Sequence, residues 1–306
     1  MKKRILLLSL SAFATDLLAS PFLTEKGKSK MTASVTSTEA TELVRKSSAE
    51  EDRGNWSDDD FTINHQKLLL KVSHGVSEDM DFSLGFTYAK IANSGKWGPQ
   101  QEDSEYSGLA DVMISAKKKL YTEGALHVAG EFAFNGPASD YNPNVLVTPG
   151  IEAPEYVLGI TNAYVHYDSN TVFGLDLAKA FRPGRAPDQM RMLMTVDFFG
   201  VELFTFGAHI GMVQSDSGVD LGDDDWVHYK TKGDKSTQDG GSDMGDEGHK
   251  GMPFARLNSA YQYMGLSASY DVSTAVVFLS YSQKMLSGAR NTDINSNITL
   301  GCVYDL

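Results

Sequence analysis

The chain has 306 residues, of which 27 are Lys or Arg and 40 are Asp or Glu, so its formal net charge is −13. An acidic balance of this size argues against nucleic acid as a partner, because nucleic acid is bound by basic surfaces. The single cysteine, Cys302, excludes an intramolecular disulfide. No stretch beyond the first residues approaches the 18 consecutive apolar residues of a transmembrane helix.

The first element in the chain is predicted to be a signal peptide over residues 1–20. A positive start, Lys2-Lys3-Arg4, precedes an apolar run from Ile5 to Phe13. Small residues then offer cleavage near 14, after Ala12-Phe13-Ala14, or near 20, after Ala19-Ser20. This order of charge, apolar run and small residues is typical of secretory signals and predicts export through the Sec pathway.

Residues 21–306 are predicted to form β-strands, because apolar and polar side chains alternate along them. In residues 82–89, for example, Phe82, Leu84 and Phe86 alternate with small or polar residues. Such a period of two is typical of strands with one oily face. The segments 64–72 and 259–266 lose this phase and are predicted to contain bulges. About 12 segments share the pattern, near 30–42, 61–74, 82–89, 110–120, 126–135, 156–167, 173–177, 192–198, 204–212, 258–270, 275–286 and 297–306.

Short and long connections alternate between these segments. The short ones are predicted at 77–80, 121–124, 168–170, 199–200 and 271–274. The long ones are predicted at 43–60, 92–107, 136–155, 182–189, 215–253 and 287–293. Bacterial outer-membrane barrels have short periplasmic turns and long extracellular loops, whereas a β-sandwich has no reason to alternate in this way.

The predicted fold is therefore all-β: a transmembrane antiparallel β-barrel of about 12 strands with long extracellular loops, in the outer membrane of a Gram-negative envelope. An even number of strands places both termini in the periplasm. We expect membrane lipids on the apolar face and the barrel-assembly machinery as a partner during insertion.

The parity opposite the apolar one is predicted to face the lumen, and it carries several charged side chains. These charges can set pore selectivity, or they can pair across the lumen and fill it. A barrel of 12 strands lies between filled barrels of eight and water-filled porins of 16 or more. The residues predicted to contact the lumen are Asp111, Glu131, Asp176, Asp197 and His209.

Residues 215–252 are rich in Gly and Asp and are predicted to form a long acidic extracellular loop. Asp220, Asp223, Asp224 and Asp225 could supply oxygen ligands to a cation such as Ca²⁺. Their spacing differs from the EF-hand pattern, and a solvated acidic loop tip is the alternative.

Motifs for catalysis are absent from the sequence, which has no HExxH, CxxC, GxSxG or phosphate-binding glycine loop. Ser73 and His74 are adjacent, so in a strand their side chains point to opposite faces and cannot easily pair. The chain is therefore not expected to be an enzyme, and no cofactor or metal centre is expected.

Three stretches resemble an outer-membrane β-barrel family named for the meta-pathway of phenol degradation. Gly75-Val76-Ser77-Glu78 matches its turn before a strand, and Gly108-Leu109-Ala110-Asp111 matches a strand start in which Ala110 replaces a Gly. Asn135-Gly136-Pro137 and Tyr141 echo a strand end, and residues 21–30 look like the lead-in to the first strand. The resemblance implies transport of small, often apolar compounds.

The sequence thus predicts a channel or transporter for small solutes, hydrophobic ones included. One alternative is a surface barrel that does not transport and whose acidic loops bind partners or cations. A second alternative is an outer-membrane lipid hydrolase.

Overall fold

The computed structural model describes residues 22–44, 53–54, 62–94, 104–139, 154–183, 187–217, 259–290 and 292–306. The predicted signal peptide over 1–20 and almost all of the acidic loop, including Asp220 and Asp223–Asp225, lie outside these ranges. Within them, no helix has both the length and the apolar character needed to cross a membrane.

The described part of the chain contains thirteen β-strands, of which β2 is a two-residue pairing beside the end of β1. The strands are β1 (Ser29–Val44), β2 (Arg53–Gly54), β3 (Thr62–Ser77), β4 (Met80–Ser94), β5 (Ser104–Glu123), β6 (Leu126–Pro137), β7 (Glu155–His166), β8 (Thr171–Phe181), β9 (Gln189–Val201), β10 (Phe204–Ser215), β11 (Ala260–Asp271), β12 (Ala275–Arg290) and β13 (Thr292–Asp305).

The twelve long strands form one antiparallel sheet that closes on itself. Each strand pairs with its neighbour in chain order, and β1 pairs with β13 from Lys30↔Asp305 to Val44↔Thr292. Closure gives every long strand a paired neighbour on both sides. The predicted all-β antiparallel barrel of 12 strands is confirmed.

The two faces of the sheet differ sharply in chemistry. Along β4, Phe82, Leu84, Phe86 and Tyr88 are exposed, whereas the side chains between them are buried. The same alternation recurs on the other strands, so large apolar side chains cover the outside and most buried polar groups lie inside. An apolar exterior of this kind is suited to lipid and is typical of transmembrane barrels.

The hairpin between β9 and β10 turns at Glu202-Leu203, and not at residues 199–200 as predicted. Leu203 has a φ of 66°, in the left-handed region that a tight hairpin turn requires. Phe199 and Gly200 fall instead where the register shifts between Phe204↔Val201 and Phe206↔Phe198. The glycine that suggested a turn therefore lies in a bulge.

Bulges also occur away from the predicted places. The pairing of β3 is continuous through residues 64–72, so the bulge predicted there is absent. The run of three leucines keeps the strand alternation, since Leu69 points inward and its two neighbours point outward. In β5, the pairs Thr87↔Asp111 and Tyr88↔Leu109 leave Ala110 as the extra residue. Ala110 is fully buried, so it does not share the outward face of Ile114, where an unbroken period of two along the predicted segment 110–120 would place it.

The predicted loop at 287–293 is also largely strand, because β12 and β13 continue to residues 290 and 292. Their mutual pairing stops at Gln283↔Ser296. Beyond that point β12 pairs with β11 through Ala260↔Arg290, and β13 pairs with β1 through Val44↔Thr292. Beyond Gln283↔Ser296, therefore, each strand is held by its pairing on the other side, β12 by β11 and β13 by β1.

Candidate functional site: the barrel interior

The five side chains predicted to contact the lumen all lie on the buried face, and each is 6% or 7% exposed. The strands β5, β6, β8, β9 and β10 contribute one of them each. They do not form a single cluster: Glu131 and Asp176 share a group with Lys117, whereas Asp111, Asp197 and His209 have separate surroundings. Their direct contact with a solute stays a prediction. The five are Asp111, Glu131, Asp176, Asp197 and His209.

A buried ion pair joins β5 to β6 inside the barrel. Lys117 and Glu131 are directly opposite in the ladder, and Lys117 Nζ lies 3.5 Å from Glu131 Oε2. Asp176 on β8 interacts electrostatically with both. Buried charges are tolerated when they are paired. The group Lys117, Glu131 and Asp176 thus brings one ammonium and two carboxyl groups together on the inner wall.

Asp111 is held by a reciprocal contact with β4. The hydroxyl of Thr87 donates to Asp111 Oδ2 at 3.1 Å, and the backbone N–H of Asp111 donates to Thr87 Oγ1 at 3.0 Å. The bulge at Ala110 sets this register, because it places Asp111 opposite Thr87. The carboxylate is therefore fixed on the wall.

Asp197 and His209 each lean over a glycine on the next strand. A Cβ added to Gly207 would lie 2.3 Å from Asp197 Oδ1, and a Cβ added to Gly265 would lie 2.5 Å from His209 Nε2. These glycines permit the close approach, since any larger residue would displace the polar side chain. Both side chains thus lie along the wall.

The loop end of the interior contains a charge cluster that is not among the residues predicted from the sequence. Glu155, which is 1% exposed, accepts hydrogen bonds from Arg191 Nη1 at 3.0 Å, Arg191 Nη2 at 2.6 Å and Asn135 Nδ2 at 2.9 Å. Arg182 Nε lies 3.7 Å from the same carboxylate, and Gln189 accepts from Arg191 at 2.9 Å. Arg191 shares the inward parity of Asp197, and that signal could have identified it.

Residues 22–28 cross the interior at the opposite, turn end. The N–H of Thr24 donates to the buried carboxylate of Asp81 at 2.8 Å, and Gly27 N–H donates to Gly75 O at 2.7 Å. Phe22 reaches the far side, where its ring lies 4.7 Å from that of His127. There it packs with Phe199 against an apolar cluster of Ala163, Val165 and Val172. This segment narrows the turn-end mouth.

One part of the inner wall is apolar. A contiguous cluster of buried apolar side chains, which we name the apolar strip, extends across the inner wall from β3 to β8. It offers a surface for the apolar part of a solute. Its members are Leu69, Met113, Ala133, Val157, Ala178 and Ala180.

Ser73 and His74 do not form a nucleophile–base pair. Ser73 Oγ hydrogen-bonds Ser83 Oγ at 2.7 Å, whereas His74 Nδ1 hydrogen-bonds Ser29 Oγ at 2.9 Å on the exposed side. Hydrolysis by an activated serine requires the two groups to meet. Among the described residues, no group of three or more His, Cys, Asp or Glu is arranged to hold a metal ion.

Solved structures with the same architecture are outer-membrane barrels. The COG4313 outer membrane channel from Pseudomonas putida F1 matches with a TM-score of 0.66 at 8% identity, over 92% of this chain and 97% of that one. KdgM porin (TM-score 0.47, 8% identity, 89% and 99% coverage) and NanC porin (0.48, 10%, 90% and 100%) match more loosely. No family model and no curated sequence matches the chain. The fold is that of a closed outer-membrane-type β-barrel.

Proposed function

We propose that this protein is an outer-membrane channel that admits small solutes through a narrow lumen. The observation that carries the proposal is the reversal of the faces: apolar side chains cover the outside, while paired and hydrogen-bonded charges lie inside. A soluble barrel would place its apolar side chains inward. Residues 1–20 act as the cleaved export signal, and both termini lie in the periplasm.

The lumen is narrow because both ends carry inward groups. The Glu155–Arg191 cluster lies at the loop end and residues 22–28 cross the turn end. Such a passage suits small solutes, and the apolar strip from Leu69 to Ala180 supports the inclusion of solutes with an apolar part. Large hydrophilic solutes are excluded by the dimensions of a 12-stranded barrel.

The buried charges are proposed to select among ions. Glu131 and Asp176 outnumber Lys117 in the central group, and Asp197 adds a further carboxylate. Rings and clusters of acidic side chains favour cations in a pore. A moderate cation preference is the expected result.

The test is single-channel recording of the refolded full-length mature protein in planar bilayers. Discrete conductance steps with cation preference are expected, and Glu131→Gln or Asp197→Asn should lower that preference. Ser115→Ala, which changes another buried inward side chain without changing charge, is the matched control. Silence of correctly folded protein, with or without residues 218–252, would overturn the channel proposal.

A further inference from the structure

Residues that pair laterally across β11, β12, β13 and β1 form rows that run perpendicular to the strands. Two neighbouring inward rows carry only hydroxyl, amide or glycine residues. In one row, Ser267 pairs with Ser280, Ser280 with Thr299, and Thr299 with Thr36. In the next row, Gly265, Ser282, Asn297 and Thr38 are paired in the same way. All eight have the inward parity of their strands, opposite exposed residues such as Leu266, Tyr281 and Leu300. We call these eight residues the polar belt.

Half of the polar belt satisfies its own hydrogen bonds. Thr36 Oγ1 and Thr299 Oγ1 lie 2.8 Å apart, and the hydroxyl of Thr38 donates to Asn297 Oδ1. On β12, by contrast, the hydroxyls of Ser280 and Ser282 have no hydrogen-bond partner among the described residues, although these residues are 1% and 0% exposed. A buried hydroxyl without a partner leaves its desolvation uncompensated, so it favours a polar guest.

The eight residues of the polar belt carry no charge themselves. Charged or titratable groups adjoin it: His209 and His65 stand at the ends of its second row, and Lys284 lies two residues beyond Ser282 on β12. Asp197 lies beyond Ser267, on the far side of Gly207, and Lys67 pairs with Thr36 on β3. The belt residues themselves supply no ion partner, so they do not compensate a charged solute for its lost hydration. Hydroxyl groups both donate and accept, so they match a guest whose own groups do the same.

Aromatic rings flank the polar belt on its β10 side. The ring of Tyr263 lies across Gly211, where an added Cβ would come within 2.1 Å of Tyr263 Cζ. The His209 ring covers Gly265 and lies 6.2 Å from the Tyr263 ring. Flat rings beside hydroxyl groups suit a guest that has both C–H and O–H surfaces.

We propose that the polar belt is a binding track for neutral polyhydroxylated solutes, the class of sugars and polyols, with Ser280 and Ser282 as its main contacts. This inference rests on the proposed channel function for its physiological role, but the binding itself can be measured separately. Nothing in the apolar strip on β3 to β8 supplies comparable hydrogen-bonding groups.

The experiment compares sucrose with tetraethylene glycol dimethyl ether, an ether without hydroxyl groups, on the full-length refolded protein. Saturation-transfer-difference NMR in detergent measures binding, and sugar-induced interruption of single-channel current measures residence in the lumen. The variant is Ser280→Ala/Ser282→Ala. Ser115→Ala is its control, because Ser115 is also a buried inward serine but lies on β5.

Sucrose should bind and interrupt the current, and the ether should do neither. The double variant should bind sucrose roughly tenfold more weakly than the wild type, because two hydrogen bonds are lost. Sucrose binding to a barrel that does not conduct would uphold the polar belt and overturn the channel. Conduction with no sucrose binding, equal effects of the ether, or equal binding by wild type and the double variant would each overturn the polar belt.

Discussion

Arg191 holds Glu155 by two parallel hydrogen bonds, from Nη1 to Oε1 at 3.0 Å and from Nη2 to Oε2 at 2.6 Å, inside the loop end of the barrel. Both side chains are at least nine-tenths buried. The planar guanidinium matches the carboxylate in a way that lysine cannot. The pair therefore fixes the start of β7 against the start of β9.

Breaking this pair should destabilise the barrel strongly. Arg191→Met leaves the Glu155 carboxylate buried with fewer partners, which is expected to cost about 3–5 kcal/mol in the free energy of unfolding. Urea unfolding in detergent measures the loss. Lys179→Met is the matched control, since it removes a more exposed pair with Asp216 worth under about 1 kcal/mol. Equal losses of stability in the two variants would contradict the stabilising role of the Glu155–Arg191 pair.

Gly207→Ala should alter conduction with little effect on folding. The added Cβ would meet Asp197 Oδ1 at 2.3 Å and Ser267 Oγ at 2.4 Å, and both are ends of short side chains that can rotate away. Displacing the carboxylate should change single-channel conductance and lower the cation preference. Gly85→Ala serves as the control, because its Cβ would lie 3.3 Å from the flexible Met113 Cε and in ordinary contact with Leu70 O at 3.4 Å and Lys71 Cβ at 3.5 Å. Wild-type conductance in Gly207→Ala would contradict this prediction.

Gly75→Ala should displace the segment that crosses the turn end. Its Cβ would lie 2.2 Å from Glu25 O and 2.5 Å from Thr24 O, and a backbone carbonyl cannot rotate aside. Trypsin should then cut after Lys26 and Lys28 faster, and conductance should rise as the mouth widens. Gly124→Ala strains another turn, at a φ of 57°, without touching this segment. Equal cleavage rates in the two variants would mean that Gly75 does not hold the segment.

The turn between β3 and β4 offers a test by pH. The Ser77 hydroxyl donates to Asp79 Oδ1 at 2.5 Å and holds the pKa of Asp79 below its ordinary value, aided by Lys118 and Lys119. Because the pKa of Asp79 is lower in the folded state than in the unfolded state, ionised Asp79 stabilises the fold. This stabilisation is complete at neutral pH and is lost as pH falls through the folded pKa. Carboxyl carbon NMR should show a higher Asp79 pKa in Ser77→Ala and an unchanged one in Ser77→Thr. An identical titration in Ser77→Ala would refute the role of the hydroxyl.

The architecture could be predicted from the sequence because strand parity is a local property. Side chains alternate every residue along a strand, so Asp197 and His209 could be placed on the inward face from their neighbours alone. The length of each connection is equally local. The barrel and all five inward side chains therefore followed from a period of two and from turn lengths.

The predictions failed where one extra residue changes the phase. Ala110 is such a residue: its small side chain gives no sequence signal for a bulge, and the shift becomes visible only through the pairs Thr87↔Asp111 and Tyr88↔Leu109. The turn predicted at residues 199–200 was wrong for a related reason, because a glycine such as Gly200 occurs both in turns and in bulges.

The sequence by itself determined the fold, the oily outer face and the inward placement of the charges, since each is encoded over a few residues. Only the tertiary structure decided the partners. Arg191 meets Glu155 from 36 positions away, and Thr36 meets Thr299 across 263 positions, where β1 closes against β13. Those contacts depend on register, which arises when twelve strands close into a ring and every bulge shifts the alignment of the next strand.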